Sequence, residues 1–328
     1  MVLDSSYVKK VIRLAQTETD ETVLFDQMES ALLVARSINY QAGKAYVVQW
    51  LGTYYRQKGD NISALRYHLE LLETQEKLLD LDSKKQTLFA IAQIYQEEEL
   101  NDKALDYYRI LLSMSVNKTL VWEQMGMAFL AENQTDSALY YITKVYQDAI
   151  SNSKYEKTLK VLQQRVLVNQ KAGNTQAVLK DDLDILTLVQ QNNNQALLTT
   201  CYNNLGYDYN KLEDYEKAIE YFEKAAESDH QNDSLDKSVL YTNLGITYQN
   251  TGNLSKAIKY LLKARQALTK DSDKGRFAYL THLISTVYYK SNDWYNALAF
   301  NEEALFSGNK RDNKKVLSEA YNLSLIHI

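Results

Sequence analysis

Residues able to do chemistry are few in this chain and stand far apart. The four histidines, His68, His230, His282 and His327, lack the spacing of a metal-ligand set, and no glycine-rich phosphate loop or nucleophile elbow occurs. Cys201 is the only cysteine, which excludes an internal disulfide and a thiolate metal site. Lying next to an aromatic position, it reads as a buried structural thiol. The acidic runs Glu97, Glu98, Glu99 and Lys180, Asp181, Asp182 read as solvated helix faces or turns. These residues give no catalytic constellation, no metal site and no cofactor. What remains is hydrogen-bonding chemistry. Asn203, Asn210, Asn243 and Gln249 each carry donors and acceptors that can pair with the backbone of an extended peptide without reading its side chains.

The elements that position such residues must be helices. The 328 residues contain no proline, where average usage would place about 16, and only 10 glycines. A hydrophobic content of 45% is that of a folded protein, and no run approaches the roughly 18 apolar residues of a membrane helix. A net charge of −5 argues against a nucleic-acid surface, which needs clustered Lys and Arg. The start, MVLDSSYVKKVIRLAQTETDE, has only a broken apolar stretch and makes a poor signal peptide. With Met1 as the true start the expectation is a cytoplasmic protein, and a periplasmic one otherwise.

The helices repeat. CYNNLGYDYNKLEDYEKAIEYFEKA (201 to 225) aligns with LYTNLGITYQNTGNLSKAIKYLLKA (240 to 264), matching Tyr202, Leu205, Gly206, Tyr209, Ala218, Phe222 and Ala225 to Tyr241, Leu244, Gly245, Tyr248, Ala257, Leu261 and Ala264. The alanine opening each second helix recurs at Ala64, Ala104, Ala138, Ala177, Ala218, Ala257 and Ala297, with gaps of 40, 34, 39, 41, 39 and 40 residues. The Ala177 unit is the least regular, with Arg165 where others have glycine. Ala31 marks a weaker pair over residues 7 to 40. Large residues at i, i+3 and i+7 form one stripe, and small Gly and Ala let the second helix approach closely. Turns such as KGDN, KAGN, KLEDY, NTGN and KSNDW separate the helical patterns.

This pattern resembles the tetratricopeptide repeat. Two departures stand out: the proline near the end of the family's second helix is missing throughout, and the period is near 40 rather than 34. The longer period predicts longer second helices or longer connections. The variant is similar to arrays in kinesin light chains, bacterial peptide-sensing regulators and the sensor halves of some Bacteroidetes signalling proteins. The resemblance implies an all-α, right-handed solenoid of stacked antiparallel helix pairs, because one pair cannot bury enough surface alone. The expected organisation is a degenerate pair over 1–40, about seven repeats over 41–310, the start of a further repeat over 311–322 and a tail over 323–328. In that tail, LSLIHI resembles the translation of a sequencing-library adapter, the alternative being an apolar cap on the solenoid.

In this family the stripe beside the packed one lines a concave groove. By that carry-over the groove residues are Asn203, Tyr207 and Asn210, then Thr242, Asn243, Ile246 and Gln249, then His282, Thr286 and Tyr289. The stripe is polar and uncharged, and lacks the lysines with which some family members grip carboxylate ends. The implied function is a protein- or peptide-binding scaffold, the sensor or interaction region of a larger bacterial signalling protein. The alternative is the accessory repeat region of an enzyme whose catalytic domain lies elsewhere. A self-associating structural array is a third reading. The expected partner is a protein or peptide in the groove, with neither nucleic acid nor membrane engaged by this segment and the oligomeric state open.

Overall fold

In the computed structural model, residues 5–15, 17, 20–114, 117–152, 154–228, 237–268 and 274–307 are described, and among them the chain forms sixteen helices and no strand. They divide into two compact units, Met1–Asn152 and Ser153–Ile328. The first holds α1 (Ser5–Leu14), α2 (Glu21–Ser37), α3 (Gln41–Gln57), α4 (Asn61–Leu78), α5 (Leu81–Glu97), α6 (Asn101–Ser113), α7 (Lys118–Ala131) and α8 (Thr135–Ser151). The second holds α9 (Tyr155–Lys171), α10 (Thr175–Gln191), α11 (Gln195–Lys211), α12 (Tyr215–Glu227), α13 (Lys237–Asn250), α14 (Leu254–Ala267), α15 (Lys274–Lys290) and α16 (Trp294–Ser307). The proposed further repeat and the LSLIHI tail lie outside the described residues.

Within each unit, helices adjacent in sequence pack against one another, and the turns explain why they can. A left-handed residue follows the helix and the next helix begins two residues later. Gly59, Gly173 and Gly252 take that conformation at φ of 79, 72 and 77°, and Asn39, Asn133, Asn193 and Asn292 at 55, 59, 51 and 60°. Glycine and asparagine enter this region most readily. The side chains of Asp60, Asp214 and Asn253 then accept from the N–H groups of Ser63, Lys217 and Lys256, capping the new helix. From α2 to α6 such residues fall at 39, 59, 79 and 99, so each repeat there consists of two nearly equal halves. The period near 40 has two origins. In the first unit α4 runs to 18 residues. In the second, α12 and α14 have 13 and 14 residues, and their connections fall largely outside the described residues.

Two interlocks recur among the helix pairs. Rings twelve residues apart stack across the pair: Tyr55 on Tyr67, Tyr95 on Tyr107, Phe129 on Tyr141, Tyr209 on Tyr221, Tyr248 on Tyr260 and Tyr288 on Phe300, at centroid distances of 5.5, 5.6, 5.5, 5.4, 5.5 and 5.4 Å. Offset stacking of this kind stabilises beyond area burial alone. The second interlock joins residues sixteen apart. A Cβ at Gly206 would stand 2.6 Å from Phe222, one at Gly245 2.5 Å from Leu261, and one at Gly126 2.7 Å from Ile142, so a large side chain fills the space that each glycine leaves. The last pair substitutes serine, whose Oγ donates to the carbonyl of Ala297 at 2.7 Å from Ser285.

The Ala177 pair inverts this arrangement. Arg165 occupies the glycine position and the residue sixteen on is Asp181, whose Oδ1 accepts from Arg165 Nε at 2.9 Å while its Oδ2 accepts from Asn169 at 2.9 Å. The Arg165 and Asp181 side chains keep only 12% and 3% of their exposure. The acidic run read as a solvated face is therefore interior at two of its positions, since Asp181 and Asp182 are buried. The physical reason is that a guanidinium at the crossing needs a carboxylate within reach. Ala177 is only half-buried, unlike Ala64, Ala104, Ala138, Ala218 and Ala257, which are fully covered.

Removing one partner of a buried pair strands the other charge. We expect Asp181→Ala to lower stability by about 3–5 kcal/mol, whereas the double change Arg165→Gly with Asp181→Leu, which restores the arrangement of Gly245 and Leu261, should match or exceed the wild type in urea titrations. In the first unit His68 fills the large position opposite Gly52, 6% exposed. Burial, with Arg56 nearby, pushes its pKa down to about 4. A depressed histidine contributes stability that is present above its unfolded pKa, near 6.5, and is lost as pH falls towards 4. The first unit's thermal midpoint should drop across that window, and drop less in His68→Leu.

Candidate peptide-binding face

The first helices of the second unit, α9, α11, α13 and α15, carry the residues singled out for binding. Leu205 and Gly206 pack inward, which turns Asn204 and Tyr207 outward; Tyr207 is 43% exposed with the Lys211 ammonium 5.0 Å from its ring centre. Asn210, Thr242, Asn243, Ile246, Gln249, Thr286 and Tyr289 are half-buried. Asn203 and His282 are buried, at 8% and 4% exposure, and belong to the packing between helices. Asn203 Oδ1 accepts from Asn243 Nδ2 at 3.2 Å, a bond joining α11 to α13. Two other candidates spend their hydroxyls on their own helices, Thr242 donating to the Ser238 carbonyl and Thr286 to that of Leu283. Tyr289 meets Trp294 edge to face at 4.9 Å. Asn204, one residue from the expected stripe, is exposed where Asn203 is not. A helix advances 100° per residue, so a one-residue offset separates the face towards the next repeat from the face towards solvent.

The same face opens into a cleft of about 330 Å³ between α9 and α11. Its walls are apolar at Val166, Leu167, Ile185 and Leu197 and polar at Gln163, Gln170, Thr200 and Asn204. Asp182 and Cys201, both buried, complete the lining. The burial expected for Cys201 is seen, at 5% exposure; burial, then the Asp182 charge, pushes its thiol up to about 12, so it is no nucleophile at neutral pH.

Asp182 on α10 stands against Asp208 on α11, a pairing that nothing in the sequence pattern signalled. Asp208 is 2% exposed, and its pKa is pushed up to about 8 by burial first and then by its hydrogen bond with Asp182 and that carboxyl's charge. Burial also raises Asp182, against the favourable hydrogen bond from Asp208. Two buried carboxyl groups in contact do not readily both ionise, so one proton lies between them at neutral pH. A carboxyl whose folded pKa is raised stabilises the fold fully below its unfolded pKa, near 4, and ceases to do so as pH rises through about 8. Melting profiles should show Asp208→Asn narrowing the loss of second-unit stability between pH 5 and 8.5; equal slopes in wild type and variant would contradict the shared proton.

Among the described residues no group of three or more His, Cys, Asp and Glu could hold a metal ion, and no helix is long and apolar enough to cross a membrane. The family model of the tetratricopeptide repeat matches residues 197–270. No curated protein sequence matches the chain. Among solved structures, a signal transduction ATPase of the STAND type with a tetratricopeptide repeat sensor, from Pyrococcus horikoshii, aligns with a TM-score of 0.58 at 16% identity, over 97% of this chain and 49% of that one. This chain thus spans about half the length of that protein. A tetratricopeptide repeat protein from Parabacteroides merdae aligns with a TM-score of 0.50 at 16% identity, over 86% and 98%. Aspartyl phosphate phosphatase F from Bacillus subtilis gives 0.50 at 13% identity, over 92% and 79%. Identities this low speak for the fold alone. Over residues 197–270, which hold the pairs α11 with α12 and α13 with α14, the repeat read from the sequence is matched as the tetratricopeptide repeat.

Proposed function

We propose that this chain is a protein- or peptide-binding scaffold, the sensor or interaction region of a larger bacterial signalling protein, and that the face of α9, α11, α13 and α15 carries the partner. The observation that supports this reading most is the cleft on that face, apolar in its walls and edged by amides and a hydroxyl. Apolar walls contribute affinity, while amides can satisfy the backbone of an extended segment. Asn204, Tyr207, Asn210, Ile246, Gln249 and Tyr289 are the contact residues in this proposal. Asn203, Asn243 and His282 would support them from within the stack. The signalling part of the proposal draws on the likeness to the STAND protein, whose repeats are described as a sensor.

The reading is tested by selecting displayed peptides on the purified protein and measuring their affinity for Asn204→Ala combined with Tyr207→Ala. Loss of exposed aromatic and amide contacts should weaken binding by about 1–3 kcal/mol with the helical circular dichroism unchanged. Peptides that bind the double variant as tightly as the wild type would remove this face from the proposal.

A further inference from the structure

The cleft between α9 and α11 has a feature that a generic backbone-binding face does not need. Its one carboxyl, Asp182, is 4% exposed yet is part of the cleft's lining, which also holds aliphatic side chains. We infer that this cleft takes an alkylammonium or guanidinium group on a short aliphatic stem, with Asp182 as its counter-ion. Val166, Leu167 and Leu197 would cover the stem, and Gln170 and Thr200 offer acceptors to the remaining N–H groups. The inference rests on the proposed binding face and specifies what that face recognises.

The charges around the cleft favour a cation from outside over one from the chain itself. On α9, Arg165 is engaged by Asp181. Asp181, the neighbouring acid on α10, already accepts from Arg165 and Asn169, so its charge is met within the chain. On α11, Lys211 lies over the Tyr207 ring and bears on Asp208. The Asp182 and Asp208 pair, holding one proton between them, keeps one negative charge, enough to balance one bound cation. No covalent step is involved. The volume of about 330 Å³ admits a side chain or a small free amine but not a folded partner.

The probe is n-butylammonium, titrated into the full chain at pH 7.5 and followed by amide chemical shifts, with n-butanol as the neutral control of the same shape. For so small a ligand a Kd on the order of millimolar is expected. Saturable shifts confined to α9, α10 and α11, at least tenfold weaker with butanol and lost in Asp182→Asn, would support the site. Asp208→Asn leaves Asp182 a carboxylate with no acid to share, and should bind at least as well as wild type; this variant guards against Asp182→Asn acting through misfolding. Butanol binding as tightly as butylammonium, or Asp182→Asn keeping full affinity, would overturn the inference. A peptide with a central lysine and its norleucine counterpart distinguish the sources. A lysine preference of tenfold or more, lost in Asp182→Asn, identifies a basic side chain as the occupant, whereas butylammonium binding without that preference identifies a free amine. Selected peptides that lack Lys and Arg, and that bind Asp182→Asn and wild type alike, would reject the cation site while leaving the binding face intact.

Discussion

Where two helices cross closely, there is room for one large side chain and not two, and the most regular helix pairs here are organised around that allocation of volume. Gly126, Gly206 and Gly245 give up their side chains so that Ile142, Phe222 and Leu261 can enter. The partners stand sixteen residues apart because a turn of fixed build lies between them. A stacked pair of rings twelve residues apart then sets the second point of contact. Two contacts of different separation define how one helix lies on the other, and many of the tyrosines are used in this way rather than as outward-facing contact surface.

The pair formed by α9 and α10 solves the same problem with charge. Arg165 is too large for the small position, so its partner is the short Asp181, and their ion pair replaces the ring-in-gap contact. The ring stack is absent here as well: the corresponding residues are Val168 and Lys180. A polar crossing seldom comes alone in a low-dielectric interior, because each buried charge must be met by another group. Asn169, Asp182 and Asp208 extend the polar region from α9 through α10 to α11, and the cleft opens beside it. The least regular repeat is thus where apolar packing gives way to a polar crossing.

Much of this was legible beforehand. Tyr202, Leu205, Gly206 and Ala218 were enough to fix the helix pairs, because aromatic, aliphatic and small residues at those separations have one dense solution. Which amide of the face proposed for binding turns outward was not legible. Asn203 and Asn204 are both amides, and the spacing that places them beside the packed stripe does not say which points to the neighbouring repeat; only the 3.2 Å bond to Asn243 does. The run Lys180, Asp181, Asp182 was misleading because acidic residues are ordinarily exposed. What overrides that preference is the Arg165 side chain sixteen residues earlier, a partner recognisable only once the offset between helices is known.

The longest-range side-chain bonds among the described residues also bear on how the chain folds. Arg56 to Glu97 spans 41 residues and Asn203 to Asn243 spans 40, each about one repeat, and the extensive helix contacts within each unit join neighbours in sequence. Loops that must close are therefore short, and the entropy lost before a favourable contact forms is small. A helix pair can settle on its predecessor as soon as it leaves the ribosome, without waiting for distant sequence. Folding can begin at any well-packed pair and spread outward. The charged crossing at Arg165 and Asp181, whose desolvation must precede its reward, is where that spread should be slowest.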